Sequence, residues 1–265
     1  MVVLAAGRGT RLRKADEDAA LTAEQAQVAA TGLKAMVPMG RPFLDFLLTN
    51  IAEAGYRQVC LVIGPDHQIV RDHYRQVVPE RLAISFAVQH EPRGTADAIT
   101  AASDFVDRHP FVLLNGDNYY APEVLAEMRQ LDGCGVAGFQ RRVLCQQGNV
   151  PRERIARFAL LMSRPDGTLE KIIEKPDPAF VSGLPEPVLV NMNCWRFSPA
   201  IFSACRAIEP SPRGEYELPD AVTYAMRRCQ ISFRILTTDT VVLDLSSRSD
   251  IEQVAKRISR RPVRF

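Results

Sequence analysis

The chain has almost no net charge: 33 Lys and Arg stand against 31 Asp and Glu, leaving +2 over 265 residues. So weak a field gives no basis for recognising nucleic acid or an anionic membrane. It also lacks any C-x-x-C pair. The six cysteines, Cys60, Cys134, Cys145, Cys194, Cys205 and Cys229, are scattered and mostly lie in apolar runs. They read as buried free thiols of a reducing cytosol in preference to disulfides or a zinc site. No apolar run approaches the roughly 18 residues of a membrane span, and Met1 opens on a strand without the charged region of a signal peptide. A soluble, cytoplasmic protein is expected. Histidine is scarce: His67 and His73 fall on a helical stretch, His109 precedes a proline, and no Ser-His-Asp or Cys-His arrangement emerges. Repeats and Gly/Ser-rich linkers are missing too, which favours a single domain over residues 1–265.

What the chain carries begins at its start. Val2, Val3 and Leu4 pass into Ala5-Ala6-Gly7-Arg8-Gly9-Thr10-Arg11-Leu12, a strand feeding a tight glycine loop. Gly7 and Gly9 permit positive φ and close approach of a ligand to backbone N–H groups, while Arg8 and Arg11 bring charge suited to phosphate. A dinucleotide fingerprint would need glycine where Leu12 stands, and no Gly-Lys-Ser/Thr of a Walker loop follows. A plain strand-to-loop turn also accommodates the stretch.

Downstream, Thr22 and Gln25 form a capping-box pattern and Gly32 a stop, predicting a helix near 23–30; residues 43–54 are amphipathic and closed by Gly55. Residues 60–63 and 111–114 are continuous apolar runs, which predict strands buried on both faces. Ile84, Phe86 and Val88 alternate, while 66–77 and 96–105 have helical spacing. This alternation predicts crossover units and a mainly parallel sheet flanked by helices, an α/β fold of Rossmann-like character. The second half is richer in strand signals, at 136–139, 155–163, 168–174, 188–197, 231–236 and 241–245. A turn is expected at Pro165-Asp166-Gly167, and helices at 199–208, 218–229 and 249–258, the last ending in a solvated Arg260, Arg261 and Arg264.

In open α/β sheets ligands bind beyond the carboxyl ends of the strands. Gly7–Gly9, the 89–95 segment and Gly116-Asp117-Asn118 all occupy such ends, so the sheet would gather them on one rim. Asp117 and Asp244 each follow an apolar strand, and two rigid carboxylates suit Mg²⁺, which completes its octahedron with phosphate and water. A turn role for Asp117 and a turn or capping role for Asp244 compete with that reading. Lys34 and Lys175 stand at strand or loop ends beside the expected site, where a phosphoryl group in transfer needs fixed cations, although a surface position also explains a lone lysine.

Taken in order, residues 4–12, 34–38, 89–98, Gly116-Asp117-Asn118, Glu174-Lys175-Pro176, 215–220 and Asp244 resemble the sugar-1-phosphate nucleotidylyltransferases over nearly the whole chain. The resemblance implies a nucleotide-binding half, 1–130, and a smaller β-rich half, 131–265, for the sugar phosphate. It implies a nucleoside triphosphate and a sugar 1-phosphate as partners and Mg²⁺ as cofactor, and it leaves a homo-oligomer open. By position, Ala6, Gly7, Gly9 and Thr10 would cradle the triphosphate, and Arg11 and Lys34 would stabilise the group in transfer. Gln89, Gly94 and Thr95 would hold the nucleotide, with Gln89 pointing to UTP or dTTP; Gly94-Thr95-Ala96-Asp97-Ala98 also resembles adenylyltransferases, keeping ATP open. Asp117 and Asp244 would hold Mg²⁺. Asn118, Glu174, Asn191 and Asn193 would face the sugar, and Lys175 its phosphate.

Two features depart from the family. Asn193 stands where glycine is usual, a change expected to reshape or narrow the sugar pocket, and residues 13–31 form an insertion between the loop and Lys34. A catalytically silent nucleotide-sugar-binding relative, or an enzyme with a non-hexose phosphate acceptor, are the alternatives; retention of Arg11, Lys34, Asp117, Lys175 and Asp244 argues for an active transferase.

Overall fold

In a computed structural model, residues 1–14, 16, 19–77 and 79–265 are described; Ala15, Glu17 and Asp18 of the insertion lie outside them. The strands are β1 (Val2–Leu4), β2 (Gln58–Ile63), β3 (Ala83–Val88), β4 (Phe111–Asn115), β5 (Asn118–Tyr120), β6 (Cys134–Gln140), β7 (Leu160–Ser163), β8 (Leu169–Ile173), β9 (Leu189–Phe197), β10 (Phe233–Thr238) and β11 (Val242–Asp244). The central path runs β10-β6-β9-β4-β1-β2-β3, with β7 and β8 attached at β9. In this path β9 runs against its neighbours β4 and β6, while the β1·β2, β1·β4, β2·β3 and β6·β10 ladders are parallel.

The apolar strands bury both faces. Val3, Leu61 and Leu114 point to one side, against Leu44, Leu47, Leu48 and Ile51 of the helix Phe43–Glu53 and against the helix Pro122–Gln130. Val2, Cys60, Val62 and Leu113 point to the other, against the helices Thr95–Thr100, Ile201–Ala207 and Leu218–Arg228. Continuous hydrophobic strands are the sequence mark of this two-sided burial. A third cluster joins Leu12 and Ala29 to Tyr119, Leu243, Ile251 and Val254, so the insertion packs on the C-terminal helix Arg248–Ile258. Its own helix, Ala23–Thr31, has the expected Thr22/Gln25 capping box and ends at Gly32 with φ +81°.

Two expectations need correction. Only Leu160–Ser163 of the 155–163 segment is a strand; Arg152–Arg157 is a 3₁₀ helix, because Pro151 starts it and Arg154 is drawn to two buried carboxylates. The 96–105 helix breaks into Thr95–Thr100 and Ser103–Val106. Beyond the strand end at Gly116-Asp117-Asn118, Asn118–Tyr120 forms a further short strand that pairs antiparallel with β11. Among the described residues no helix is long and apolar enough to cross a membrane.

Candidate active site

Sheet order creates the site. The chain leaves β1 for β2 and β3 on one side and returns to β4 on the other, so the ends of β1 and β4 bound a crevice at the switch point. At the end of β1, Ala5 N–H donates to Val62 O (2.8 Å), and the backbone then turns out along Ala6 to Gly9. A Cβ on Gly7 would meet nothing within 4 Å, leaving its backbone open. Gly9 has φ +56°, and a Cβ there would lie 2.1 Å from Gly32 O, closer than any side chain can be. Arg13 fastens the same junction, its Nε and Nη2 donating to Thr31 O at 3.1 and 2.7 Å. The exit of the insertion thus clasps the glycine loop.

The crevice is a cleft of about 350 Å³ lined by Ala6, Gly7, Gly9, Thr10, Lys34, Gln89, Gly94, Thr95 and Asp117, together with Arg8, Pro92, Asn115, Gly116 and Glu215. Nine expected residues from four separate segments therefore line one cleft. Thr95 Oγ1 accepts from Leu218 N–H (2.9 Å), and Gly94, with φ +107°, presses so closely on Tyr216 that a Cβ would sit 2.5 Å from its carbonyl. Arg11 is exposed on the short helix Thr10–Arg13, outside the lining and without an ion-pair partner among the described residues.

Beside the loop, Lys34 Nζ and Asp117 Oδ2 form an ion pair of 2.8 Å. Asp117 O accepts from Leu245 N–H (2.9 Å), which brings Asp117 next to Asp244. Asp244 is 3% exposed. Its Oδ2 takes Arg154 Nη2 at 2.5 Å and its Oδ1 takes Asn118 Nδ2 at 3.2 Å, so Asn118 is sealed beneath the cleft. Arg154 Nη1 also binds Asp250 Oδ1 at 2.6 Å. Burial first, and Asp117 second, push the Asp244 carboxyl above its ordinary value, with Arg154 and Lys34 opposing them. Two hard carboxylates that repel one another are a donor set that fits a divalent cation, with phosphate and water left to complete its shell. Among the described residues no group of three metal-ligating side chains occurs, so the protein offers these two.

The remaining expected residues lie on the second half, beyond β4. Asn191 is buried on β9, its Oδ1 accepting from Asn193 N–H (2.9 Å). Asn193 has φ +55°, and the β6·β9 register shifts here, between the Val136 and Gly138 pairs. Tyr120 Oη donates to Met192 O at 2.6 Å and so satisfies a carbonyl that the bulge removes from the ladder. The position thus demands left-handed backbone, which glycine and asparagine tolerate best; that is the physical content of the glycine-to-asparagine departure. Glu174 and Lys175 follow β8, exposed, with Lys175 at φ +43°. Loss of solvation, then Glu217 and Asp220, raise the Glu174 carboxyl above its usual range, against Lys175 and Arg213, so the 215–220 segment faces the end of β8.

Sequence reasoning missed Arg154, whose partners are remote in the chain, and Asp97, which binds the side chain of Gln89. The only sequence signal for Asp97 was its place within the 89–98 motif.

The sequence model of the family described as "Nucleotidyl transferase" matches residues 1–260. The chain belongs to the nucleotidyl transferase family. This bears out the resemblance drawn from its motifs and makes the protein an enzyme. It is 29% identical over 259 residues to UTP--glucose-1-phosphate uridylyltransferase AglF of Haloferax volcanii, covering 97% of this chain and 95% of that one. It is 30% identical over 225 residues to a glucose-1-phosphate thymidylyltransferase of Streptomyces antibioticus, covering 84% of this chain and 56% of that one. A UDP-glucose pyrophosphorylase solved with UDP-glucose superposes with a TM-score of 0.75 at 19% identity, over 98% of both chains, and so shares the nucleotidyltransferase fold.

Proposed function

We propose that this enzyme transfers a nucleotidyl group from a nucleoside triphosphate, UTP or dTTP by preference, to a sugar 1-phosphate. One observation carries the reading: Gly7, Gly9, Lys34, Gln89 and Asp117, drawn from four segments, line a single cleft at the strand ends. A sugar-phosphate oxygen attacks the α-phosphorus in line, a new P–O bond forms, and the bond to the β-phosphate breaks to release pyrophosphate. Such transfer needs positioning and charge neutralisation more than covalent chemistry.

In this reading Ala6, Gly7, Gly9 and Thr10 hold the triphosphate with Arg8 beside them. Arg11, exposed on the helix that follows the loop, and Lys34 offset charge on the group in transfer. Gln89, Gly94 and Thr95 hold the base end. Asn191 and Glu174 meet the sugar, Lys175 its phosphate, and Asn193 narrows the pocket between them. Asn118 supports the site from below through Asp244. Asp117 and Asp244 are the residues that would hold Mg²⁺, which when bound supplies positive charge to the phosphate oxygens.

The relatives named as uridylyl- and thymidylyltransferases support the pyrimidine preference. The test is pyrophosphate release over a matrix of nucleoside triphosphates and sugar 1-phosphates with Mg²⁺. Turnover with UTP or dTTP and a hexose 1-phosphate is expected; absence of turnover with every pair would overturn the reading.

A further inference from the structure

Gln89 follows β3, and its side chain is only 7% exposed as a residue. Its amide is fixed at one end. Nε2 donates to Gly94 O at 3.0 Å and to Asp97 Oδ2 at 2.9 Å, which engages both of its hydrogens. Each partner is a pure acceptor, so the amide cannot be turned over: Oε1 would then face two oxygens. Asp97 is held in turn, its Oδ1 accepting from Arg93 Nη2 at 2.9 Å, and the Arg93 guanidinium lies over the Tyr216 ring, 5.9 Å from its centroid. What Gln89 retains is Oε1, which meets no donor among the described residues and is not sealed in the interior, on a side chain that lines the cleft.

We propose that Asp97 is a positioning residue for base selection, making Gln89 an acceptor-only reader. The proposal rests on the nucleotidyl-transfer reading in placing the base at Gln89. A free glutamine serves any pyrimidine, because it can offer either its oxygen or its amino group. Held by Asp97 and Gly94, it offers only oxygen. Uracil and thymine carry an N–H at ring position 3 and satisfy that oxygen; cytosine carries a bare lone pair there, and two acceptors face each other. Leaving such a group unpaired in a confined site is what generates discrimination. Asp97 therefore converts an ambiguous amide into one that admits UTP or dTTP and rejects CTP.

The experiment measures the dissociation constants of UTP and CTP with Mg²⁺ by calorimetry, and kcat/KM for both with a sugar 1-phosphate. It uses the wild type, Asp97→Leu, Gln89→Ala and the double variant. The wild type is expected to prefer UTP, and Asp97→Leu to lower that preference about tenfold, the scale of one hydrogen bond to a charged group. In the Gln89→Ala background the same substitution is expected to add nothing, since Asp97 acts through Gln89. Arg93→Met, a change at a side chain 56% exposed, loosens Asp97 without touching Gln89 and is expected to shift the preference the same way by less, which keeps the proposal testable if Asp97→Leu fails to fold. A wild type that binds UTP and CTP alike, an Asp97→Leu variant weakened equally toward both, or full additivity in the double variant would each overturn the proposal. Asp97-dependent preference in binding without turnover would retain it and reject the transfer reading.

Discussion

Gly32 occupies the side-chain space of Gly9, and the backbone of Arg8 occupies that of Gly32. A Cβ on Gly9 would stand 2.1 Å from Gly32 O, and one on Gly32 would stand 2.3 Å from Arg8 O. Both residues are left-handed, so neither the conformation nor the contact admits alanine. Gly9→Ala and Gly32→Ala are expected to lose stability and to displace the loop. A displacement of about 1 Å at a phosphate-binding loop is enough for a roughly hundredfold loss of kcat/KM. Gly40→Ala, at a glycine of φ +90° whose Cβ would meet nothing within 4 Å, isolates the conformational part and should leave kcat/KM near wild type. Thermal melts with kinetics on all three variants check this.

Asp117→Asn should fold normally and lower turnover by at least about 10²-fold, as expected when charge stabilisation of phosphoryl transfer is removed. Mn²⁺ binding followed by paramagnetic resonance should weaken in parallel. Near-wild-type activity in this variant would sink the metal assignment.

Arg154 neutralises two nearly sealed carboxylates, on side chains 5% and 2% exposed. Its replacement by methionine leaves both buried without a cation, and breaking a buried pair costs about 3–5 kcal/mol. The stability lost should be partly recovered as pH falls, because protonating Asp244, whose carboxyl burial already raises, removes its desolvation cost. Denaturant unfolding of Arg154→Met at successive pH values checks both statements. A variant with the same pH dependence as wild type would refute them.

Glu174 has a raised carboxyl in the folded state, so its ionised form weakens the fold. Below the ordinary value of 4.5 both folded and unfolded chains hold the proton and the group contributes nothing to pH dependence. Above it, the unfolded chain releases the proton first, and stability declines as pH rises through the folded value. Glu174→Gln should therefore melt near wild type at low pH and increasingly above it toward neutrality. A melting difference independent of pH would count against this electrostatic account.

Thiol chemistry gives an independent check on the fold. Cys229 is exposed, whereas Cys60 and Cys205 are buried, with thiols that burial pushes up to about 11 and about 12. Native protein should titrate Cys229 quickly with a disulfide reagent, and Cys60 and Cys205 only after denaturation, because the thiolate is the reactive form.

What could be read from the chain followed how local each signal is. The glycine loop, the Thr22/Gln25 cap with Gly32, and the paired-face strands declare themselves within a few residues, and the ends of β1, β3 and β4 converge by sheet topology alone. Arg154 was illegible because its meaning lies in Asp244, ninety residues away, and the stretch around it alternates like a strand. Asp97 was visible as a motif member, but its grip on Gln89 depends on how a loop folds back over a helix start. At Asn193 the departure from glycine was visible while its cause, a left-handed residue in a bulged strand, was not.

The two-stranded ladder of β5 and β11 joins Asn118 to Asp244 across 126 positions. The carboxylate pair beside the glycine loop is therefore complete only when residues this far apart in sequence have paired. Asp244 is thus tied to Asn118, and Leu245 to the Asp117 carbonyl, by a ladder separate from the central sheet, so opening two short strands would undo the acid pair while leaving the glycine loop on β1 untouched.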